Sequence, residues 1–230
     1  MKCAILGYGK MGKVIERLLR EEGTEIVAII DNENDWELQW QQFCSADVAI
    51  EFSMPSVAIS NFKRCFDQHI PLVAGTTGWY DHTEEVVEYC RKTSNSFIYG
   101  SNFSIGVNIF FEINALLAEI MKAHRQFTVS VDETHHITKK DAPSGTAIHI
   151  AQIIEQHLNA SLKEPITSHR IPDVPGTHKV TYQSDNETIE LTHIAHNREE
   201  LAKGAVKAAH WLVSHGGIYD FKDIALSIND

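Results

Sequence analysis

Positive charge is scarce in this 230-residue chain: 20 lysines and arginines stand against 31 aspartates and glutamates, for a formal net charge of −11. A field of that sign repels polyanions, which excludes a general affinity for nucleic acid or for an anionic membrane surface. Paired cysteines are missing too. Cys3, Cys44, Cys65 and Cys90 form no CxxC and no regular framework. They lie among apolar neighbours or in helix-like sequence, which points to a reduced, intracellular chain. No apolar run approaches the roughly 20 residues of a membrane span. The opening "MKCAILGYG" enters a strand at once and leaves no room for a signal peptide, so a cytoplasmic location is expected. Repeats, low-complexity tracts and flexible linkers do not occur. The remaining composition, 43% hydrophobic and 22% charged, is that of a globular chain able to bury a core in one large domain or two modest ones.

The first hundred residues alternate short apolar runs with helical spacing. "CAILG" (3–7), "EIVAIID" (25–31), "DVAIEFS" (47–53), "PLVAGT" (71–76) and "SFIYGS" (96–101) read as strands. Each is almost continuously apolar, as strands covered on both faces are. Between them Val14, Ile15, Leu18 and Leu19 make one helical stripe, and Val86, Val87 and Cys90 another. The alternation indicates right-handed crossovers and a Rossmann-like, doubly wound parallel sheet. Past residue 104 the periodicity changes. A long apolar helix (106–124) leads into an alternating strand (127–136) and a helix at about 146–158. A hairpin then spans 178–197, turning near Asp185-Asn186, and a helix follows in "REELAKGAVKAAHWLVSHG". Strands that alternate and pair by hairpin indicate a second, mixed α+β domain.

Gly7, Gly9 and Gly12 form G-x-G-x-x-G between the first strand and the first helix. In that place the first glycine permits a tight turn, the second lets backbone approach a pyrophosphate, and the third allows close strand–helix packing. Asp31 closes the second strand, where an acid hydrogen-bonds the adenosine ribose. NAD or NADP is therefore the expected cofactor. Asp31-Asn32-Glu33 offers nothing positive to a 2′-phosphate, which favours NADH, although Lys10 could supply a charge. "AGTTG" (74–78) and "GSNFS" (100–104) sit at the carboxyl ends of the fourth and fifth strands, where ligands of open parallel sheets gather.

A second constellation is "ETHHITKKDAPSGT" (133–146). Asp141 or Ser144 can cap the following helix, and Ser144-Gly145-Thr146 presents free N–H groups to an anion. His135, His136, Lys139 and Lys140 add donors and positive charge just upstream. A small dicarboxylate fits: one carboxylate at the helix start, the other near an imidazole or ammonium group, which can also protonate a carbanion or enamine after hydride arrives. A metal is not expected, because adjacent histidines on a strand face opposite sides and neither HxH nor HExxH occurs. The remaining histidines, among them His149, His157, His193, His196 and His210, read as surface or packing residues. Two rivals stay open: another dehydrogenase on the same scaffold, and a nucleotide sensor without catalysis.

Over almost its whole length the chain resembles the 4-hydroxy-tetrahydrodipicolinate (dihydrodipicolinate) reductase family. The resemblance rests on the glycine motif, "GTTG" (75–78), "SNFSIGVN" (101–108), "ETHHITKKDAPSGTA" (133–147) and "KGAVKAAHWL" (203–212). It implies NAD(P)H-dependent reduction of a cyclic imine dicarboxylate, with hydride passing to C4, in diaminopimelate and lysine biosynthesis. By this resemblance His135 is the proton donor and acceptor and Lys139 a proton donor. His136, Ser144, Gly145 and Thr146 hold the substrate. Gly7, Tyr8, Gly9, Lys10, Met11, Gly12, Asp31, Gly75, Thr76, Thr77, Gly100, Ser101, Asn102 and Phe103 line the cofactor. The resemblance also implies a homotetramer assembled through the second domain. It also returns 199–230 to the dinucleotide domain, so that with the boundary set near 104 by the change of periodicity this domain comprises 1–104 and 199–230, and 105–198 form the substrate and oligomerisation domain. Ile137 and Thr138 stand where some members carry further basic or imidazole side chains.

Overall fold

A computed structural model describes residues 1–197 and 199–228. In chain order the strands are β1 (Lys2–Leu6), β2 (Glu25–Ile30), β3 (Val48–Glu51), β4 (Leu72–Ala74), β5 (Phe97–Tyr99), β6 (Thr128–His135), β7 (Thr167–Arg170), β8 (Gly176–Gln183), β9 (Thr188–Ala195) and β10 (Ile218–Asp220). The helices are α1 (Lys10–Glu21), α2 (Glu33–Phe43), α3 (Pro55–Asp67), α4 (Thr83–Lys92), α5 (Ile105–Met121), α6 (Gly145–Leu158), α7 (Glu199–His215) and α8 (Phe221–Ile224). The chain divides into two compact units, Met1–Ile105 with Glu199–Asp230, and Gly106–Arg198.

In the first unit six strands form one sheet in the order β10-β5-β4-β3-β1-β2, and every pairing is parallel. The apolar runs have their explanation in β1. Cys3 and Ile5 join one cluster with Ile15 and Leu19 of α1 and Val206 of α7. Ala4 and Leu6 join another with Phe62 and Phe66 of α3 and Trp79. Successive side chains thus enter opposite cores, and both must be apolar. All strands expected here are present: β1 keeps its expected length but begins and ends one residue earlier, and β2 to β5 are one to three residues shorter, because their terminal residues bend into the connecting turns. The sixth, β10, was not expected: its three residues are only half-buried and end in Asp220, so no continuous apolar run marks it.

The second unit carries a four-stranded sheet in the order β7-β6-β8-β9. The β6–β8 and β8–β9 pairs are antiparallel and β6–β7 is parallel, so this sheet is mixed. Val131, Val180 and Tyr182 pack with Phe110 and Met121 of α5 and with Ile150 and Ile154 of α6. The expected hairpin forms, and Ser184 N donates to Glu187 O at 2.9 Å across its turn. Short, polar β7 escaped the sequence reading. At the start of α7, Arg198 of the expected helix lies outside the described residues, as do residues 229 and 230 of the expected 199–230 segment.

Candidate active site

The glycine motif builds the turn between β1 and α1. Gly7 has φ +89°, and a Cβ there would lie 2.2 Å from the Phe52 carbonyl oxygen. Gly12 lets α1 approach, since its Cβ would lie 2.2 Å from the Gly7 carbonyl oxygen. Gly9, the N-cap of α1, differs: a Cβ would meet nothing within 4 Å. No side chain caps this helix and its first turn holds no acid. An open, uncapped helix start beside a glycine is a fit for a phosphate. Asp31 follows at the end of β2, where its Oδ1 accepts from Tyr8 N at 2.6 Å. Its surroundings are acidic. Asp35 Oδ2 accepts from Asp31 N at 2.9 Å, and Glu33 pairs with Arg64 at 2.9 Å, which occupies that cation. Lys10 is exposed and Met11 half-buried at the start of α1, and the Tyr8 hydroxyl donates to Glu16.

The loops after β3, β4 and β5 are tied together. Thr76 Oγ1 accepts from Ser53 N at 2.7 Å, and Gly75 N donates to Glu51 O at 2.8 Å. A Cβ at Gly75 would fall 2.1 Å from the Phe52 ring, so this loop too depends on a glycine. Gly100 N donates to Ala74 O at 3.2 Å, and Asn102 Oδ1 accepts from Ser104 N at 2.9 Å. Thr77 and Ser101 are exposed. Phe103 is 1% exposed, its ring 4.5 Å from that of Phe221, so its side chain is part of the core. Glu51, unnoticed in the apolar "DVAIEFS", is fully buried at the end of β3. Burial pushes its carboxyl up, against hydrogen bonds from Ser53 and Thr76 that pull it down.

In the second unit, Glu133 and His135 are two apart on β6 and share a face, while His136 turns away, its Nδ1 2.7 Å from Thr138 Oγ1. Glu133 Oε1 accepts from Ser144 N at 3.0 Å, Ser168 Oγ at 2.9 Å and Arg170 Nη2 at 3.1 Å. Burial works to raise this carboxyl, but those donors outweigh it and hold Glu133 below the usual carboxylate range. His135 Nδ1 lies 3.1 Å from Glu133 Oε2. Burial favours the neutral imidazole and lowers His135, with Glu133 opposing. The His178 ring stands 5.1 Å from that of His135, edge to face, and burial beside that imidazole lowers it to about 4. Lys139 Nζ pairs with Asp141 Oδ2 at 2.8 Å.

The helix start resolves as a Ser144 cap. Its Oγ accepts from Ala147 N at 3.2 Å and its N–H goes to Glu133, so at 2% exposure Ser144 turns its polar groups inward. Gly145 and Thr146 keep N–H groups without a hydrogen bond among the described residues, and a Cβ at Gly145 would meet nothing within 4 Å. Ser168, Arg170 and His178 escaped the sequence reading. Glu133 could have been placed by its i, i+2 relation to His135, but short β7 gave no period that would bring Ser168 and Arg170 alongside. Glu133, His135 and His178 bring donor atoms within 4.8 Å of one another, a grouping of metal-ligand types that residue spacing did not reveal.

Family models for dihydrodipicolinate reductase match residues 1–103 (N-terminus) and 106–225 (C-terminus). A 4-hydroxy-tetrahydrodipicolinate reductase from Christiangramia forsetii is 43% identical over 97% of both chains. One from Neisseria meningitidis serogroup B is 31% identical over 80% of this chain and 74% of its own. Among solved structures, a dipicolinate-bound dihydrodipicolinate reductase from Paenisporosarcina sp. TG-14 superposes with a TM-score of 0.78 at 22% identity, over 97% of this chain and 99% of that one. An amine dehydrogenase from Mycobacterium smegmatis gives 0.62 at 11% identity, over 96% and 95%, which is a likeness of fold. Both halves match and the identity extends end to end: the chain is an oxidoreductase and belongs to the dihydrodipicolinate reductase family.

Proposed function

We propose that the chain carries out the reaction named for its relatives, reduction of 4-hydroxy-tetrahydrodipicolinate to tetrahydrodipicolinate at the expense of NADH or NADPH, with the 4-hydroxyl group leaving as water. The observation that carries the reading is the succession of His135 at the end of β6, Lys139 in the turn that follows, where its charge acts on His135, and the free N–H groups of Gly145 and Thr146 at the start of α6. Bound at the glycine turn, a reduced nicotinamide dinucleotide would supply the hydride. Gly9 and the uncapped start of α1 would hold its pyrophosphate, Asp31 its adenosine ribose, and the 74–78 and 100–103 loops its nicotinamide end. In the second unit, Gly145 and Thr146 N–H and His136 would bind the carboxylates. Lys139 would leave Asp141 to reach the substrate. The ring carbon that becomes electron-rich when hydride arrives must gain a proton, and Lys139 and His135 are the groups placed to deliver it.

NADH is the preferred donor in this reading. A 2′-phosphate at the Asp31 ribose site would meet Asp31, Glu33 and Asp35, and the neighbouring Arg64 is already paired with Glu33. A cytoplasmic homotetramer is part of the same proposal, on the resemblance to the family; no described helix is long and apolar enough to cross a membrane. The experiment is a coupled assay in which substrate is generated in place and oxidation of NADH and NADPH is followed in parallel. Substrate-dependent oxidation with tetrahydrodipicolinate as product is the expected result. Cofactor binding without turnover would instead favour a nucleotide sensor.

A further inference from the structure

We infer that Glu133 is a positioning residue: braced by Ser144, Ser168 and Arg170, it holds the proton of the neutral His135 ring on Nδ1 and leaves Nε2 as the atom that exchanges a proton with substrate. The inference rests on the proposed role of His135.

The two oxygens of Glu133 divide the work. Oε1 takes three donors, from the backbone of Ser144, the hydroxyl of Ser168 and the guanidinium of Arg170. Oε2 has no hydrogen-bond partner among the described residues and faces His135 Nδ1 at 3.1 Å. An Nδ1 lone pair pointed at a buried carboxylate oxygen would be repelled. An Nδ1–H is attracted, so the carboxylate selects that tautomer. The contact is not aligned as a full hydrogen bond, and such bonds tighten when substrate is present.

The opposite edge of the ring is kept clear. A Cβ at Gly176, the first residue of β8, would stand 3.2 Å from His135 Nε2 and 3.3 Å from its Cδ2. The absent side chain leaves room beside the nitrogen assigned to proton exchange. Arg170 sits opposite His135 in the β6–β7 register. Besides Glu133 it reaches the carbonyl oxygens of Lys139, at 3.4 Å from Nε, and of Asp141. One guanidinium therefore links the carboxylate behind His135 to the turn that carries Lys139. The charged and titratable groups around the imidazole are Glu133 on β6, Lys139 and Asp141 on the turn, Arg170 on β7 and His178 on β8. Of these, Glu133 and Asp141 favour the imidazolium, and Glu133 is the nearer.

The first test is the tautomer itself. Imidazole 15N shifts of His135 in the unaltered protein, assigned through a His135→Gln variant, should show Nδ1 protonated and Nε2 bare at a pH where the ring is neutral. Protonated Nε2 would overturn the inference. The second test is Glu133→Gln. Turnover should fall by about 10²–10⁴, with the substrate KM and the NADH affinity within about twofold of their original values. The limb of the pH profile set by His135 should move to lower pH, because a charge favouring the imidazolium is gone. A merely structural role would lower stability and leave that limb in place. If His135→Gln turns over normally, the reading of His135 as an acid fails. If His135→Gln is inactive while Glu133→Gln keeps the original turnover and pH profile, the positioning inference alone fails.

Discussion

Two glycines of one motif should respond in opposite ways to a single methyl group. At Gly12 an added Cβ would stand 2.2 Å from the Gly7 carbonyl oxygen, where ordinary contact begins at 3.4 Å. Helix α1 must then retreat by about 1 Å from β1, disturbing the packing of Ile15 and Leu19 in the core. Overpacking of this kind costs about 1–3 kcal/mol. For a chain of this size that lowers Tm by roughly 2–12 °C. At Gly9 the methyl meets nothing within 4 Å, and φ is −76°, which alanine adopts freely. Gly9→Ala should keep Tm within about 3 °C, since exchanging an N-cap glycine for alanine changes stability by less than about 1 kcal/mol. Its methyl would nevertheless occupy the face through which the pyrophosphate approaches the α1 backbone. NADH affinity should fall at least tenfold, about 1.4 kcal/mol. Thermal unfolding paired with titration of NADH fluorescence reads both quantities. A Gly9→Ala protein with unchanged NADH affinity would show that the helix start does not face the cofactor. A Gly12→Ala protein with unchanged Tm would show that α1 does not pack as described.

Lys139→Ala should lower turnover by roughly 10²–10⁴ while NADH affinity is preserved, and steady-state kinetics with a separate binding titration would measure this. Near-normal turnover would remove Lys139 from the chemistry. His178 is 6% exposed with its pKa lowered from 6.5 to about 4, so the unfolded chain binds more protons between those values. Stability is therefore retained above pH 6.5 and lost as pH falls towards 4, by up to about 3 kcal/mol from this group alone. Denaturant unfolding of the protein and of His178→Gln across that range should show a shallower fall in the variant. Equal slopes would mean His178 is not buried as a neutral ring. KM for NADH should be at least tenfold below that for NADPH, about 1.4 kcal/mol. Asp31→Ala should narrow the gap, and a chain preferring NADPH would contradict the acidic reading of the ribose site.

The parts of the molecule legible in the sequence are those where one physical demand dictates residue type. The run at β1 must be apolar because Cys3 and Ile5 enter one core and Ala4 and Leu6 the other. Gly7 and Gly12 must lack side chains because backbone carbonyls stand where a Cβ would go. Other features depend on partners brought in from far along the chain. Arg170 gains its meaning from the β6–β7 register, and four polar residues of β7 carry no periodic signal. His178 looks like any strand histidine until β8 pairs with β6 and sets its ring against that of His135. Ser144 could be read as a ligand because its neighbours Gly145 and Thr146 do offer free N–H groups. The structure turns its own N–H to Glu133 and its hydroxyl to Ala147. The metal-ligand grouping of Glu133, His135 and His178 stayed hidden for the same reason.

Isotope transfer would probe the proposed chemistry at the reacting atoms. NADH carrying two deuteriums at the nicotinamide C4 would be incubated with the protein and freshly generated substrate, in ordinary water, and the product examined by NMR and mass spectrometry. One deuterium at ring C4 of the product, with Lys139→Ala slowing its appearance and leaving its position unchanged, is the expected result. Product formed without deuterium, or NADH bound and never consumed, would contradict hydride delivery to a ring held by His136, Lys139, Gly145 and Thr146.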